Sequence, residues 1–258
     1  MDREWIKEFL EEKYLKYNCI DFIPTDPVQI PHQFTEQYDI EISAFLTATI
    51  SWGQRKTIIN SAQRLMQFMG NQPYEFVMNA GSDELELLRQ FKHRTFNGTD
   101  FSYFIYSLKN IYTHYGGLGE LFEKSFHSAG NIKEVLISFR KIFTGLSIPS
   151  RTQKHISDVE KNASAKRLNL FIRWMVRKDR HGVDFGIWQN IPASALFIPL
   201  DLHAGNVARA LGLLKREQND WKAVEELTYE LRKFDPMDPV KYDYALFGLG
   251  IFEHFNKL

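Results

Sequence analysis

Three observations predict an all-α fold. Apolar residues recur at three- and four-residue spacing through almost the whole chain, no segment shows strand-like alternation, and Gly, Pro and Asn turns punctuate the periodic stretches. The first helix is carried by Trp5, Ile6, Phe9 and Leu10 and runs on through Lys13 to Leu15; the second is carried by Ile42, Phe45, Leu46, Thr49 and Ile50. The same spacing predicts helices over Thr57–Met69, Asp83–Gln90, Phe101–His114, Gly119–Phe126 and Ile132–Phe143. In the second half it predicts them over Ala165–Lys178, His203–Leu214, Trp221–Lys233 and Val240–Phe255. Turns are marked by Pro24-Thr-Asp-Pro27, Asn97-Gly98, Gly116-Gly117 and Asp235-Pro-Met-Asp-Pro239. The stretch from Gly145 to Ser164 lacks helical periodicity and is rich in Ser, Thr, Lys and Asn, so it is expected to be a functional loop or a disordered one.

The 258 residues suit two lobes, and one cleft shared between them is expected. The start lacks a basic stretch followed by an apolar one, and no apolar run approaches the roughly 20 residues a bilayer requires. A cytoplasmic enzyme or binding protein is expected, with no membrane partner. A single cysteine, Cys19, excludes an intrachain disulfide, a thiolate zinc site and a four-cysteine cluster. The eight histidines lack metal-ligand spacing, and neither a dinucleotide nor a phosphate-loop glycine fingerprint occurs. No metal and no cofactor is expected.

Formal charge is zero overall but unevenly spread. Residues 1–41 carry ten acids against four bases, a balance of −6, whereas residues 151–180 carry nine bases against three acids, a balance of +6. The second stretch is a phosphate-binding candidate, with solvated helix faces as the plainer reading. Shorter basic pieces occur at Arg55, Lys56 and Arg64 and at Lys92, His93 and Arg94.

The most informative segment is Pro199-Leu-Asp-Leu-His-Ala-Gly-Asn-Val-Ala-Arg-Ala-Leu-Gly-Leu213, where an apolar run ends in an acid that opens a helix. Taken alone, Asp201 is an N-cap. Together with Asp201, His203, Val207 and Leu211-Gly212-Leu213, the segment resembles the helix-hairpin-helix DNA glycosylase superfamily, which includes endonuclease III and the archaeal 8-oxoguanine glycosylases. Residues 41–66, with Gln54 in a loop, resemble that superfamily's early helix, loop and following helix, and residues 234–254 resemble its terminal helix. The combination of Phe91-Lys-His-Arg94, Lys166 to Arg177, Pro199 to His203 and Asp238 to Asp243 is most similar to an uncharacterised bacterial family of glycosylase-like proteins. Asn206 and Ala210 stand where many superfamily members carry arginine, and the Leu-x-Gly-x-Gly hairpin does not precede Asp201.

The resemblance implies a central lobe over residues 42–190 that includes the hairpin region, and a second lobe of residues 1–41 with 191–258 that carries the aspartate helix. It implies Lys166 and Asp201 as catalytic residues. Lys166 precedes Asp201 by 35 residues, at the start of a helix expected to be capped by Ser164. Breaking a glycosidic bond develops positive charge at the anomeric carbon, which a fixed carboxylate stabilises, while an amine attacks there and forms a Schiff base. The amine attacks in its neutral form, which a helix N-terminus and the neighbouring Arg167 favour.

Nucleic-acid contacts are expected from Gln54, Arg55, Lys56, His93, Arg94, Lys154, Lys161, Arg167 and His203. Trp52, Trp174 and Trp188 could stack on an extruded base, with core packing as the alternative for each. The expected function is that of a DNA-repair glycosylase with abasic-site lyase activity, acting as a monomer on double-stranded DNA that carries a damaged base, 8-oxoguanine first, or an abasic site. The competing classes are a nucleic-acid-binding protein that keeps the fold without the chemistry, and a protein-interaction scaffold.

Overall fold

The computed structural model describes residues 2–146 and 148–255. The fold is all-α, with one two-stranded hairpin among the described residues. Two compact units divide the chain: a terminal unit, made of the residues up to Phe22 and those from Asp158 onward, and a central unit spanning Ile23–Ser157. No described helix is long and apolar enough to cross a membrane.

Helix α1 (Arg3–Tyr17) begins the terminal unit, its N-terminus capped by the Asp2 carboxylate. The central unit carries α2 (Gln37–Thr49), α3 (Arg55–Phe68), α4 (Pro73–Asn79) and α5 (Ser82–Leu87), then the hairpin β1 (Lys92–His93) and β2 (Phe96–Asn97). It continues through α6 (Gly98–His114), α7 (Leu118–Ala129), α8 (Ile132–Thr144) and the single turn α9 (Ser150–Gln153). The chain then completes the terminal unit with α10 (Lys166–Val176), α11 (Leu202–Ala210), α12 (Trp221–Arg232) and α13 (Tyr242–Ile251).

The unit boundaries differ from those expected, for two physical reasons. Pro27 and Pro31 open successive 3-10 turns whose buried Val28 and Ile30 belong to the central core, so residues 23–41 fold with that unit. Conversely, α10 turns Arg173 and Arg177 onto acids of the terminal unit, which draws residues 158–190 there.

Phenylalanine dominates the central core. Phe45, Phe104, Phe139 and Phe143 are each at most 1% exposed, and their rings meet at centroid distances of 4.8 to 5.9 Å. Stacked-offset and edge-on pairs of this kind stabilise a core beyond the area they bury. Asn97-Gly98, read as a turn, is instead the start of α6: Asn97 and Asp100 form a reciprocal capping box, and Gly98 lies so close to the Leu88 carbonyl that a side chain there would overlap it.

In the terminal unit α13 packs against both α1 and α11, and glycines permit the approach. Gly248 faces the Tyr17 ring of α1, whereas Gly250 faces the backbone of His203 on α11. A methyl group at position 248 would overlap Tyr17, which is itself fixed by a 2.6 Å hydrogen bond to Glu253 and by stacking on Phe252. Gly248→Ala is therefore expected to lower stability by about 1–3 kcal/mol through overpacking, despite the better helix propensity of alanine. Urea unfolding followed by circular dichroism measures this.

Candidate active site

Lys166 and Asp201 meet. Lys166 Nζ lies 3.7 Å from Asp201 Oδ2, and the two side chains are 27% and 22% exposed, so the pair is accessible without being fully solvated. The separation is that of an ion pair and is longer than a hydrogen bond.

Asp201 divides its two oxygens between structure and the amine. As the N-cap of α11 it accepts from the Ala204 amide through Oδ1 at 2.9 Å, while Oδ2 faces Lys166. Its own carbonyl accepts from Asn219 Nδ2 at 3.0 Å, and Asn219 is held in turn by Arg209 at 2.6 Å. Asn219 comes this close because residue 205 is glycine; a Cβ there would lie 2.8 Å from the Asn219 amide oxygen.

The residue next to Asn219 braces the chain that leads into Lys166. The Asp220 carboxylate accepts from Asn162 at 2.8 Å, and the Trp221 amide donates to the Asn162 carbonyl at 3.0 Å, which ties the strand-like run before α10 to the start of α12. Arg216 grips Asp220, and that hydrogen bond holds the carboxyl well below its ordinary range. Asn219 thus braces Asp201, and Asp220 braces the chain four residues before Lys166. The cap position of α10 is Ala165, in the left-handed region at φ 50°, so the expected cap by Ser164 is absent: the position falls one residue later, on a side chain with no acceptor.

Behind the pair lies an acid that follows a helix-entry turn in sequence and gives no local sign of a role. Asp243 on α13 is 6% exposed and ion-paired with Arg173. Burial pushes its carboxyl up to about 7, against the opposing pull of Arg173, with Asp201 adding to the rise and Lys166 opposing it. The site therefore contains one carboxyl that holds its proton near neutral pH beside a part-exposed carboxylate and an amine.

The +6 stretch is a poorer phosphate site than its composition implies. Arg173 and Arg177 are buried and turned inward: Arg173 meets Asp184 at 3.3 Å, and Arg177 meets Asp184 at 3.1 Å, Asp179 at 2.6 Å and Asp238 at 2.9 Å. Lys161 is exposed and pairs with Asp158 at 3.5 Å. Arg167 is half-buried, and burial lowers its guanidinium to about 10.

Two tryptophans are corrected. Trp174 is 0% and Trp188 1% exposed, the latter edge-on to Phe171 at 5.2 Å, so neither presents a face to a base. Every residue of α10 from Phe171 to Val176 is buried, which accounts for Trp174. His203 is part-exposed in the first turn of α11, its backbone against Gly250.

The remaining residues belong to the central unit. Trp52 is part-exposed, edge-on to His93 at 5.1 Å and stacked on His155 at 6.1 Å. His93 is corrected as a nucleic-acid contact: it is 2% exposed, with its ring nitrogens 2.9 Å from the Ser61 hydroxyl and 3.3 Å from the Trp52 carbonyl, and burial lowers its proton affinity. Gln54 and Lys56 are exposed at the start of α3, and Arg55 donates to the Thr25 carbonyl at 3.4 Å. Arg94 and Lys154 are exposed and line one groove.

The family model described as "Protein of unknown function (DUF2400)" matches residues 26–252, and the chain belongs to that family. Neither the comparison with curated proteins nor that with solved structures returned a match.

Proposed function

We propose that this protein is a DNA-repair glycosylase with abasic-site lyase activity on oxidised bases, 8-oxoguanine first among them. The observation that carries this reading is the 3.7 Å approach of Lys166 to Asp201, two part-exposed groups at the starts of separate helices. The resemblance of the Asp201 segment to the glycosylase superfamily supports it.

In this reading the lesion nucleotide leaves the stack and the neutral Lys166 amine attacks C1′. The Nζ–C1′ bond forms as the glycosidic bond breaks, and the base departs with the electron pair and takes a proton from water. Asp201 Oδ2 stabilises positive charge at C1′ and receives the proton the amine loses. The nitrogen lone pair then opens the C1′–O4′ bond, O4′ takes the proton from Asp201, and a protonated Schiff base remains.

The test is borohydride reduction of protein incubated with duplexes that carry 8-oxoguanine or an abasic site. A covalent adduct is expected from the natural protein and none from Lys166→Ala. An adduct that survives Lys166→Ala overturns the assignment of the amine. No adduct and no base release across a broad lesion panel overturns the enzyme reading in favour of binding without chemistry.

A further inference from the structure

A groove of about 540 Å³ on the central unit gathers five cations from two distant stretches of chain. Arg89, Lys92 and Arg94 come from the hairpin and the turn before it, Arg151 from α9, and Lys154 from the residue that follows α9. Its lining contains no Asp or Glu. The neighbouring acids are already engaged: Glu86 pairs with Arg89 at 2.9 Å, and the wholly buried Asp100 accepts from Arg151 at 2.9 Å and from Thr152 at 2.7 Å. Lys92, Arg94 and Lys154 are exposed, and among the described residues their side chains make no ion pair or hydrogen bond.

The fold holds these charges together in one place. His93 and Phe96 of the hairpin are buried opposite one another, which turns Lys92 and Arg94 outward. Arg151 clamps α9 to the hairpin through Asn97 at 3.0 Å and the Thr95 carbonyl at 3.2 Å. The Arg94 side chain lies over Gly53, where a Cβ would come within 2.6 Å of its guanidinium, so the loop before Gln54 adjoins the cluster. Like charges gathered this way repel one another unless an anion neutralises them.

We propose that this groove binds the phosphodiester backbone of a nucleic acid. Arg94 offers a planar fork that matches phosphate oxygens, Lys92 and Lys154 add compact charges, and Gln90, Thr95 and Asn97 add neutral polar groups along the same lining. The aromatic residue of the lining, Phe91, is 1% exposed, so the groove reads charge and not base identity. The site lies on a different unit from Lys166 and Asp201, and its binding does not require that pair to be catalytic.

The test is binding of the full chain to an undamaged labelled duplex over a series of salt concentrations. Lys92→Ala/Arg94→Ala/Lys154→Ala is expected to weaken binding about tenfold or more and to flatten the plot of log affinity against log salt by about 0.9 for each phosphate no longer neutralised. Lys109→Ala/Lys124→Ala/Lys222→Ala, which removes the same charge from exposed positions outside the groove, is expected to leave slope and affinity nearly unchanged. Equal loss in both triple variants, or no loss in the first, overturns the proposal. Displacement of the duplex by poly-glutamate at matched charge overturns it in favour of an acidic polypeptide. In the natural protein, bound duplex is also expected to shield Lys92 and Lys154 from acetylation; unchanged labelling counts against the groove without any variant.

Discussion

Arg177→Ala is expected to destabilise the terminal unit by about 3–5 kcal/mol, a large share of the roughly 5–15 kcal/mol that keeps an ordinary domain folded. The Arg177 side chain is 0% exposed and its donors are spread over Asp179, Asp184, Asp238 and the Tyr14 hydroxyl, the last at 2.9 Å. Burial works against its charge, yet Asp184 and Asp238 together outweigh that penalty and hold the guanidinium above its ordinary range. Truncation leaves Asp184, itself wholly buried, with one fewer cation, and removes the counterweight to burial at Asp238, whose carboxyl is already pushed up. Arg177→Lys keeps the charge but cannot reproduce the fork, so it is expected to lose a large part of the same stability. Chemical unfolding at pH 7 measures both. A loss below about 1 kcal/mol for the alanine variant, the scale of an exposed ion pair, would show that the network contributes little.

That network also explains why a charge count misleads while a period count does not. Arg173 lies in the last turn of α10 and Arg177 is the residue that caps its end, and every residue from Phe171 through Arg177 is buried, so the arginines are core residues with partners and not a phosphate face. The apolar surroundings of Arg173 are visible in the sequence; the identity of its partners, 11 and 70 residues away, is not. The longer helices are legible because one apolar face repeats over several turns. Helix α4 buries only Pro73 and Val77, and α9 is a single turn anchored by Asp100, so neither has a period to read. The hairpin turns through Arg94 at φ 52° without a glycine, which removes the usual signal for a two-residue turn.

The site divides in the same way. The Lys166–Asp201 pair follows from the resemblance of one segment and the spacing of a lysine. Asn219, Asp220 and Asp243 complete it, yet nothing in their local sequence distinguishes them from surface caps and turn acids, because their roles arise only when α10, α11, α12 and α13 pack together.

Asp243→Asn is expected to flatten the dependence of stability on pH. The native carboxyl sits at about 7 because burial disfavours its charge more than Arg173 favours it, against an ordinary value of 3.8. The folded state therefore binds a proton more tightly than the unfolded chain does, and linkage fixes the sign. The contribution of Asp243 is fully present below about pH 4, declines as pH rises, and is lost above about pH 7; the whole change is at most about 4 kcal/mol. Asparagine cannot ionise, so the variant is expected to lack that decline between about pH 4 and pH 7, while opposing contributions from carboxyls held low, such as Asp179 and Glu253, remain. Unfolding free energies of both proteins at intervals across this range give the difference directly. A difference constant with pH would mean that Asp243 is ionised throughout and that its ion pair with Arg173 dominates burial. The same group sets an expectation for chemistry: as Asp243 loses its proton, negative charge appears behind Asp201 and Lys166, so the rate of borohydride-trapped adduct formation is expected to change through about pH 7 in the natural protein and to lose that inflection in Asp243→Asn.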